Sequence, residues 1–201
     1  SPTGIQQIPE EAGQIDNPAT QVDAVNQAIG QGTVLVTPLQ VVRFMAAIAN
    51  GGTLYRPQIV EKIQPIDGDP IQSFKPEAQG TLPLRPENLD ILREALLMVV
   101  ENPKGTARFN MRGLQFAVAG KTGTAESGSG KPHGWFAGYT MNEANTGLPD
   151  IAIVAVGENI GDGSEYAVPF FRAMVETYYY GSPQRQYYDW GQIGYPPYTP
   201  T

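Results

Sequence analysis

The sequence predicts an α+β fold: an antiparallel sheet with strands near 118–124, 135–140 and 151–157, flanked by helices. Two observations carry this. The three segments are short, β-branched or aromatic, and divided by Gly, Ser, Asn and Pro clusters, which is the pattern of a meander. Two upstream stretches and one downstream stretch repeat apolar residues at helical spacing.

Taken in order, roughly the first 25 residues are polar, rich in Gln, Pro and Glu, and read as a surface segment with little regular structure. A helix opens at Thr37-Pro38-Leu39. Thr37 suits the N-cap, and Pro38 suits the first helical position, where its missing N–H costs nothing. Leu39, Val42, Met45, Ala46 and Ala49 share its inward face, and Asn50-Gly51-Gly52 ends it. Leu54 through Ile63 reads as a strand, followed by a turn at Asp67-Gly68-Asp69-Pro70. A second helix runs from Pro86 to about Glu101 on a stripe of Leu89, Leu92, Leu96 and Val100. After the meander, a last helix follows Gly161-Asp162-Gly163-Ser164, with Phe170, Met174 and Val175 facing inward and Ser164 capping it. The chain divides at about residue 180: 1–180 forms the structured unit, and 181–201 is an irregular tail rich in Tyr, Pro and Gln.

Bulk properties exclude several functions. With 201 residues the chain can bury a sizeable core. Its net charge of −7 and singly scattered basic residues leave no stripe to neutralise phosphates, so no nucleic-acid partner is expected. Cys is absent, so thiol chemistry is excluded. No run of about 18 apolar residues exists, hence no expected membrane span. The start at Ser1-Pro2-Thr3, without Met, fits a processed chain or a piece of a longer one.

The chemistry concentrates in Gly120-Lys121-Thr122-Gly123-Thr124. A Lys on a glycine-flanked strand faces a groove while the backbone stays near whatever occupies it. Thr122 and Thr124 alternate with Gly123, so their hydroxyls point to one side. An ammonium, two hydroxyls and an unpaired strand edge suit an extended peptide with a carboxylate, bound by strand addition. The Lys-Thr-Gly tripeptide alone is a cheap match; its context is not.

AGKTGTAE is followed by HGWFAGYT and IAIVAVGEN, and preceded by AIGQGTVLVTPLQVVRFMAAIANGGTLYRPQIV. In this order and spacing the chain resembles the transpeptidase domain of penicillin-binding proteins across residues 12–180, and the monofunctional class B enzymes more than the bifunctional class A ones. The resemblance implies part of the β-lactamase/transpeptidase-like fold. It implies that Lys121 serves the nucleophile's proton network and that Thr122, Gly123 and Thr124 bind substrate, their hydroxyls meeting the carboxylate of a stem peptide or β-lactam. The Thr124 N–H would supply half of an oxyanion hole, a donor worth about 2.7–4 kcal/mol of barrier. Lys121 and Thr124 are thus the catalytic candidates. Gly30-Gln31-Gly32 matches a segment near the family site with a structural role. Trp135 and Phe136 match positions beneath the sheet and read best as core aromatics.

The family's nucleophile lies in Ser-x-x-Lys, with a second motif Ser-x-Asn. Neither occurs here: none of Ser1, Ser73, Ser127, Ser129, Ser164 and Ser182 has Lys three residues on. The expectation is a C-terminal fragment, inactive alone, whose upstream partner carries both motifs, two strands and the nucleophile's helix. The strand at 151–157 then has an open apolar edge, so a companion fragment or self-association is expected. The parent protein is expected at the extracytoplasmic face of the bacterial membrane, anchored by an N-terminal segment.

Other readings are weaker. His133 with Ser127 or Ser129 could form a triad, but it precedes a strand in a Gly/Ser/Lys-rich turn. One His and no Cys leave zinc only carboxylates as further ligands, and residues 162–165 fail the spacing of a calcium loop. No metal or cofactor is expected. The alternatives to transpeptidation are a β-lactam hydrolase or sensor of the same superfamily and a non-catalytic peptide-binding module.

Overall fold

The computed structural model describes residues 2–141 and 146–185. Helix α1 spans Gln21–Ala28 and helix α2 Pro38–Ala49. Short strands β1 (Thr53–Tyr55), β2 (Lys62–Ile63), β3 (Gln72–Ser73) and β4 (Ala78–Thr81) precede helices α3 (Pro86–Glu101) and α4 (Arg108–Met111). The strands β5 (Ala117–Ala125), β6 (His133–Met141) and β7 (Ala152–Gly157) lead to helix α5 (Ala167–Tyr180). The fold is α+β.

The central sheet has the order β5-β6-β7, antiparallel throughout, as the sequence pattern implies. Lys121 pairs with Ala137 and Thr124 with Gly134; Phe136 pairs onward with Ala155. Alternate side chains feed two layers. Val118, Phe136 and Ala155 pack with Val168, Phe171 and Val175 of α5, joined by Ala107 and Met111. Phe136 meets Phe171 edge-to-face at 4.7 Å, an arrangement worth about 0.5–1.5 kcal/mol beyond burial. On the opposite face Ala119 and Tyr139 pack with Met45 and Ile48 of α2 and Leu89 and Leu96 of α3.

Helices α2 and α3 begin where the sequence predicts. Thr37 accepts from the Gln40 N–H and Gln40 reaches back to the Thr37 N–H, a reciprocal cap. The inward face of α2 is Met45, Ala47 and Ile48; Ala46 and Ala49 sit at its half-buried margin.

Several expectations need correction. The first segment is less irregular than its composition suggests: α1 forms there on a Thr20–Asp23 capping box, with none of its side chains buried. The strand expected over 54–63 is two short pieces, because Pro57 between them has no N–H for a ladder. They pair with β4 and β3, and the predicted turn at 67–70 links β2 to β3. On α5 the core residues are Val168, Phe171, Val175 and Tyr179; Phe170 is half-buried and Met174 is 40% exposed. Ser164 does not cap α5, whose N-cap is Tyr166 with no side-chain hydrogen bond. Residues 182–185 follow the αL residue Gly181 that ends α5, and the rest of the expected tail lies outside the described residues.

One buried ion pair ties the α5 end together. Arg172 Nε donates to Glu176 Oε1 at 2.7 Å, with side chains 4% and 1% exposed. Arg172 also donates to the carbonyls of Asn110 and Arg112, and Glu176 accepts from the Gln184 N–H. Each charge is matched by hydrogen bonds, so removing one partner would cost about 3–5 kcal/mol. The network clamps α4 to α5.

Candidate active site

The Lys121–Thr124 strand forms the free edge of the sheet, with β6 on its other side. By parity with Val118, Thr122 and Thr124 share the α5 face, whereas Lys121 shares the opposite face with Ala119. The two hydroxyls therefore lie on one side, and the ammonium on the other. Lys121 Nζ curls back to the Thr122 carbonyl at 2.8 Å.

Glycines set the approach of everything around this strand. A Cβ at Gly120 would lie 2.6 Å from Phe136 Cζ and 2.7 Å from the Ala137 oxygen. A Cβ at Gly163 would collide with the carbonyl oxygens of Gly123 and Trp135, so the loop before α5 lies directly on the β5–β6 backbone. Gly134 gives way similarly beneath Gly161 and Gly163. This contact delivers Asp162 to the strand: Thr124 Oγ1 donates to Asp162 Oδ2 at 3.1 Å. Asp162 Oδ1 accepts from the Ser164 N–H at 2.8 Å and from its hydroxyl at 2.7 Å. The Ser164 hydroxyl is the main cause holding the Asp162 carboxyl below the usual aspartate range; partial burial opposes it, and the Ser164 N–H, Thr124 and the Lys121 charge reinforce it.

Two other segments reach the strand. Gly105 packs where a Cβ would strike the Val99 carbonyl at the end of α3, turning the chain so that Thr106 Oγ1 meets Thr122 Oγ1 at 2.9 Å. Gln31, in the Gly30-Gln31-Gly32 stretch, donates through Nε2 to the Thr124 carbonyl at 2.9 Å. In an antiparallel ladder a residue's N–H and C=O point the same way. The Thr124 N–H therefore shares this free edge with the carbonyl that Gln31 reaches.

The residues singled out by the motif, Lys121, Thr122, Gly123 and Thr124, thus lie together on one open edge. Thr106 and Asp162, their side-chain partners, escaped the sequence reading; the doubled glycine around Asp162 was the available signal of close backbone packing. The triad reading fails. Ser127 and Ser129 both hydrogen-bond Asn159 Oδ1 and the Lys131 carbonyl, while His133 Nδ1 accepts from the Asn159 N–H. Phe136 is a core residue, 0% exposed, and Trp135 is half-buried. Among the described residues no cluster of His, Asp and Glu could hold a metal ion.

The chain matches the family described as penicillin binding protein transpeptidase domain over residues 1–176. It is 26% identical over 202 residues to the peptidoglycan D,D-transpeptidase MrdA of Haemophilus influenzae, covering 88% of this chain and 30% of that protein. It is 32% identical over 157 residues to the peptidoglycan D,D-transpeptidase PbpA of Mycolicibacterium smegmatis, covering 74% of this chain and 30% of that protein. Among solved structures, an imipenem acyl-enzyme complex of penicillin-binding protein A from M. tuberculosis shares its fold, with TM-score 0.70 and 27% identity. That match covers 84% of this chain and 37% of the other. The chain spans 30% of the length of both curated relatives. By motif, sheet topology and these matches, it belongs to the penicillin-binding protein transpeptidase domain family.

Proposed function

We propose that this chain supplies one wall of a peptidoglycan D,D-transpeptidase site, cross-linking stem peptides through an acyl-enzyme whose serine lies outside these 201 residues. The observation that carries the reading is the exposed Lys121–Thr124 edge, along which an N–H, a carbonyl, an ammonium and two hydroxyls are gathered within four residues. In this reading an extended peptide lies antiparallel to β5. The Thr124 N–H stabilises the charge that develops on the attacked carbonyl oxygen, and Lys121 serves the proton network around the nucleophile. In the same reading β-lactams take this edge too; penicillin-binding protein A from M. tuberculosis, a structural relative, forms an acyl-enzyme complex with imipenem.

The companion is the upstream part of the same domain, carrying Ser-x-x-Lys and Ser-x-Asn. The outer edge of β7 supports this assignment: no described strand pairs with it, and beside it Val154, Val156, Phe170 and Met174 line an apolar groove. The same reading sets the parent protein at the extracytoplasmic face of the membrane; among the described residues no helix is long and apolar enough to cross one.

A fluorescent penicillin tests the reading. It is expected to leave this chain unlabelled alone, and to label the serine of an added family segment bearing both motifs. Covalent label on this chain would overturn the absence of the nucleophile. Rapid release of the label as hydrolysed product would favour a β-lactam hydrolase instead.

A further inference from the structure

Away from the motif, small residues leave a space in the α2–α3 side of the sheet. Ala46 and Ala49 of α2 and Ala152 of β7 carry only methyl groups, and a cavity of about 540 Å³ lies between them and Arg93 of α3. None of its lining residues belongs to β5. Thr124 pairs with Gly134 at one end of β6, whereas the cavity is walled by Tyr139 and Met141 at the other.

Two donors in its wall have no acceptor. Tyr139 is 2% exposed, and its hydroxyl makes no hydrogen bond among the described residues. Arg93 Nε is buried and likewise unbonded. The two groups are neighbours: burial pushes the Tyr139 phenol up, and the nearby Arg93 charge opposes it. The phenol therefore keeps its proton at neutral pH. A guanidinium has donors only, so it cannot take that proton, and both groups call for an acceptor. Buried polar groups are ordinarily hydrogen-bonded, and a pair of unmet donors in one wall is an exception that points to a ligand.

The charges around the cavity narrow the class of guest. The ion pair of Arg93 is with Asp90, 4.0 Å away and 76% exposed, a contact of little strength in solvent. Asp150 also lines the cavity, but its Oδ1 is engaged by the Thr140 hydroxyl at 2.9 Å and by the Tyr179 hydroxyl at 3.5 Å. Its negative charge disfavours any guest that carries more than one of its own.

We propose that this cavity is a second ligand site, which takes a small monocarboxylate with an apolar body. The carboxylate accepts from Arg93 and Tyr139, and the body lies against Ala46, Ala49, Met141 and Ala152. Both donor atoms are closed to solvent, so the Arg93 side chain, 36% exposed, swings outward to admit the guest. The site is separate from the Lys121–Thr124 edge and does not depend on the function assigned to that edge.

Benzoate, benzamide and acetate test this in NMR titrations of the isotopically labelled chain. Benzamide keeps the ring of benzoate without its charge, and acetate keeps the carboxylate without the ring. Benzoate is expected to shift the Tyr139, Met141, Ile151 and Ala152 amides and to bind roughly tenfold more tightly than either of the others. Tyr139→Phe is expected to weaken benzoate roughly tenfold and to leave benzamide within about twofold. The same variant is expected to melt no lower than the native chain, because the hydroxyl it removes has no partner. Arg93→Gln is expected to erase the preference for benzoate over benzamide.

Equal affinity for benzoate and benzamide would overturn the inference, as would no shift at millimolar benzoate or shifts confined to residues 120–124. A preference that survives Arg93→Gln would do the same. So would a Tyr139→Phe chain that melts well below the native one, since the hydroxyl would then be bonded within the chain. Displacement of benzoate by the motif-bearing companion segment would overturn it too, giving the two donors to an acidic side chain of that segment. None of these results changes the outcome expected with fluorescent penicillin, so the two proposals fail separately.

Discussion

The sheet ends in two edges of opposite character. The β5 edge is polar: its carbonyls at Thr122 and Thr124 are met by Lys121 and Gln31, and its hydroxyls by Thr106 and Asp162. Each of these contacts is made by a flexible or exposed side chain that a ligand can displace or share. The β7 edge is apolar, and beside it Phe170 and Met174 leave a groove that nothing among the described residues fills. An edge of the first kind exchanges hydrogen bonds with a small, polar guest. An edge of the second kind buries apolar area, which is how one piece of a core joins another. The same three strands thus separate ligand recognition from assembly.

The sharpest way to break this division is to place a charge in the β7 groove. Met174 is exposed, so Met174→Asp is expected to change the stability of the chain alone by no more than about 0.5 kcal/mol. If the groove is where a companion segment docks, the buried carboxylate would cost about 3 kcal/mol of association, roughly a 100-fold weaker complex. Analytical ultracentrifugation with the motif-bearing segment, alongside denaturation of the chain alone, measures both. An unchanged association constant would move the interface elsewhere.

A smaller effect is expected at the β5 end from Gly163→Ala. The added methyl would strike the Gly123 and Trp135 carbonyl oxygens, so the loop must lift, at a cost of about 1–3 kcal/mol. The lift carries Asp162 away from Thr124, and the amide shifts of Thr124 and Ser164 are expected to move together while those of Val154 and Val156 stay in place. Thermal denaturation and an amide spectrum report the two consequences. A variant as stable as the native chain would mean that the loop has slack enough to take a methyl group.

What the sequence revealed and what it concealed follow the same physical line. The strands of the meander and helices α2 and α3 were legible because their apolar residues are buried on a fixed period, and because Thr37-Pro38 and Pro86 mark helix starts. Helix α1 was not, because Val22 and Val25 are 68% and 65% exposed and no burial period selects them; only the Thr20–Asp23 capping box announced it. On α5 Val175 was placed correctly and Phe170 packs against the core from a half-buried margin, but Met174 was misplaced because the helix is apolar on two sides. Phe171 and Val175 meet β6 and the core, while Phe170 and Met174 face the uncovered groove. In the site, Lys121–Thr124 was legible as a contiguous motif. Its partners come from 16, 38 and 93 residues away along the chain, and only the tertiary fold brings Thr106, Asp162 and Gln31 to it.

Acid offers the gentlest way to tell the edges apart. The Asp162 carboxyl titrates below the usual aspartate range in the folded chain, chiefly through the Ser164 hydroxyl and against the opposing effect of partial burial. A carboxyl with a depressed folded pKa stabilises the native state at every pH above its unfolded value, and that contribution is lost as pH falls through the folded value. Because Asp162 is exposed, solvent screening keeps the contribution under about 1 kcal/mol, so the local signal is more informative than global stability. Lys121 is the charged side chain that favours the ionised form here. On acidification the Asp162 carboxyl carbon is expected to titrate with a midpoint below that of an ordinary aspartate, and the Thr124, Gly163 and Ser164 amides are expected to follow it. Protonated Asp162 can itself donate, so the Thr124 hydroxyl is released from its donor role in that range. The β7 groove is lined by Val154, Val156 and Met174 and should show no step at the same midpoint. A midpoint at or above the ordinary aspartate value would mean that the Ser164 and Thr124 hydrogen bonds do not hold in solution, and the contrast between the two edges would then rest on hydrophobicity alone.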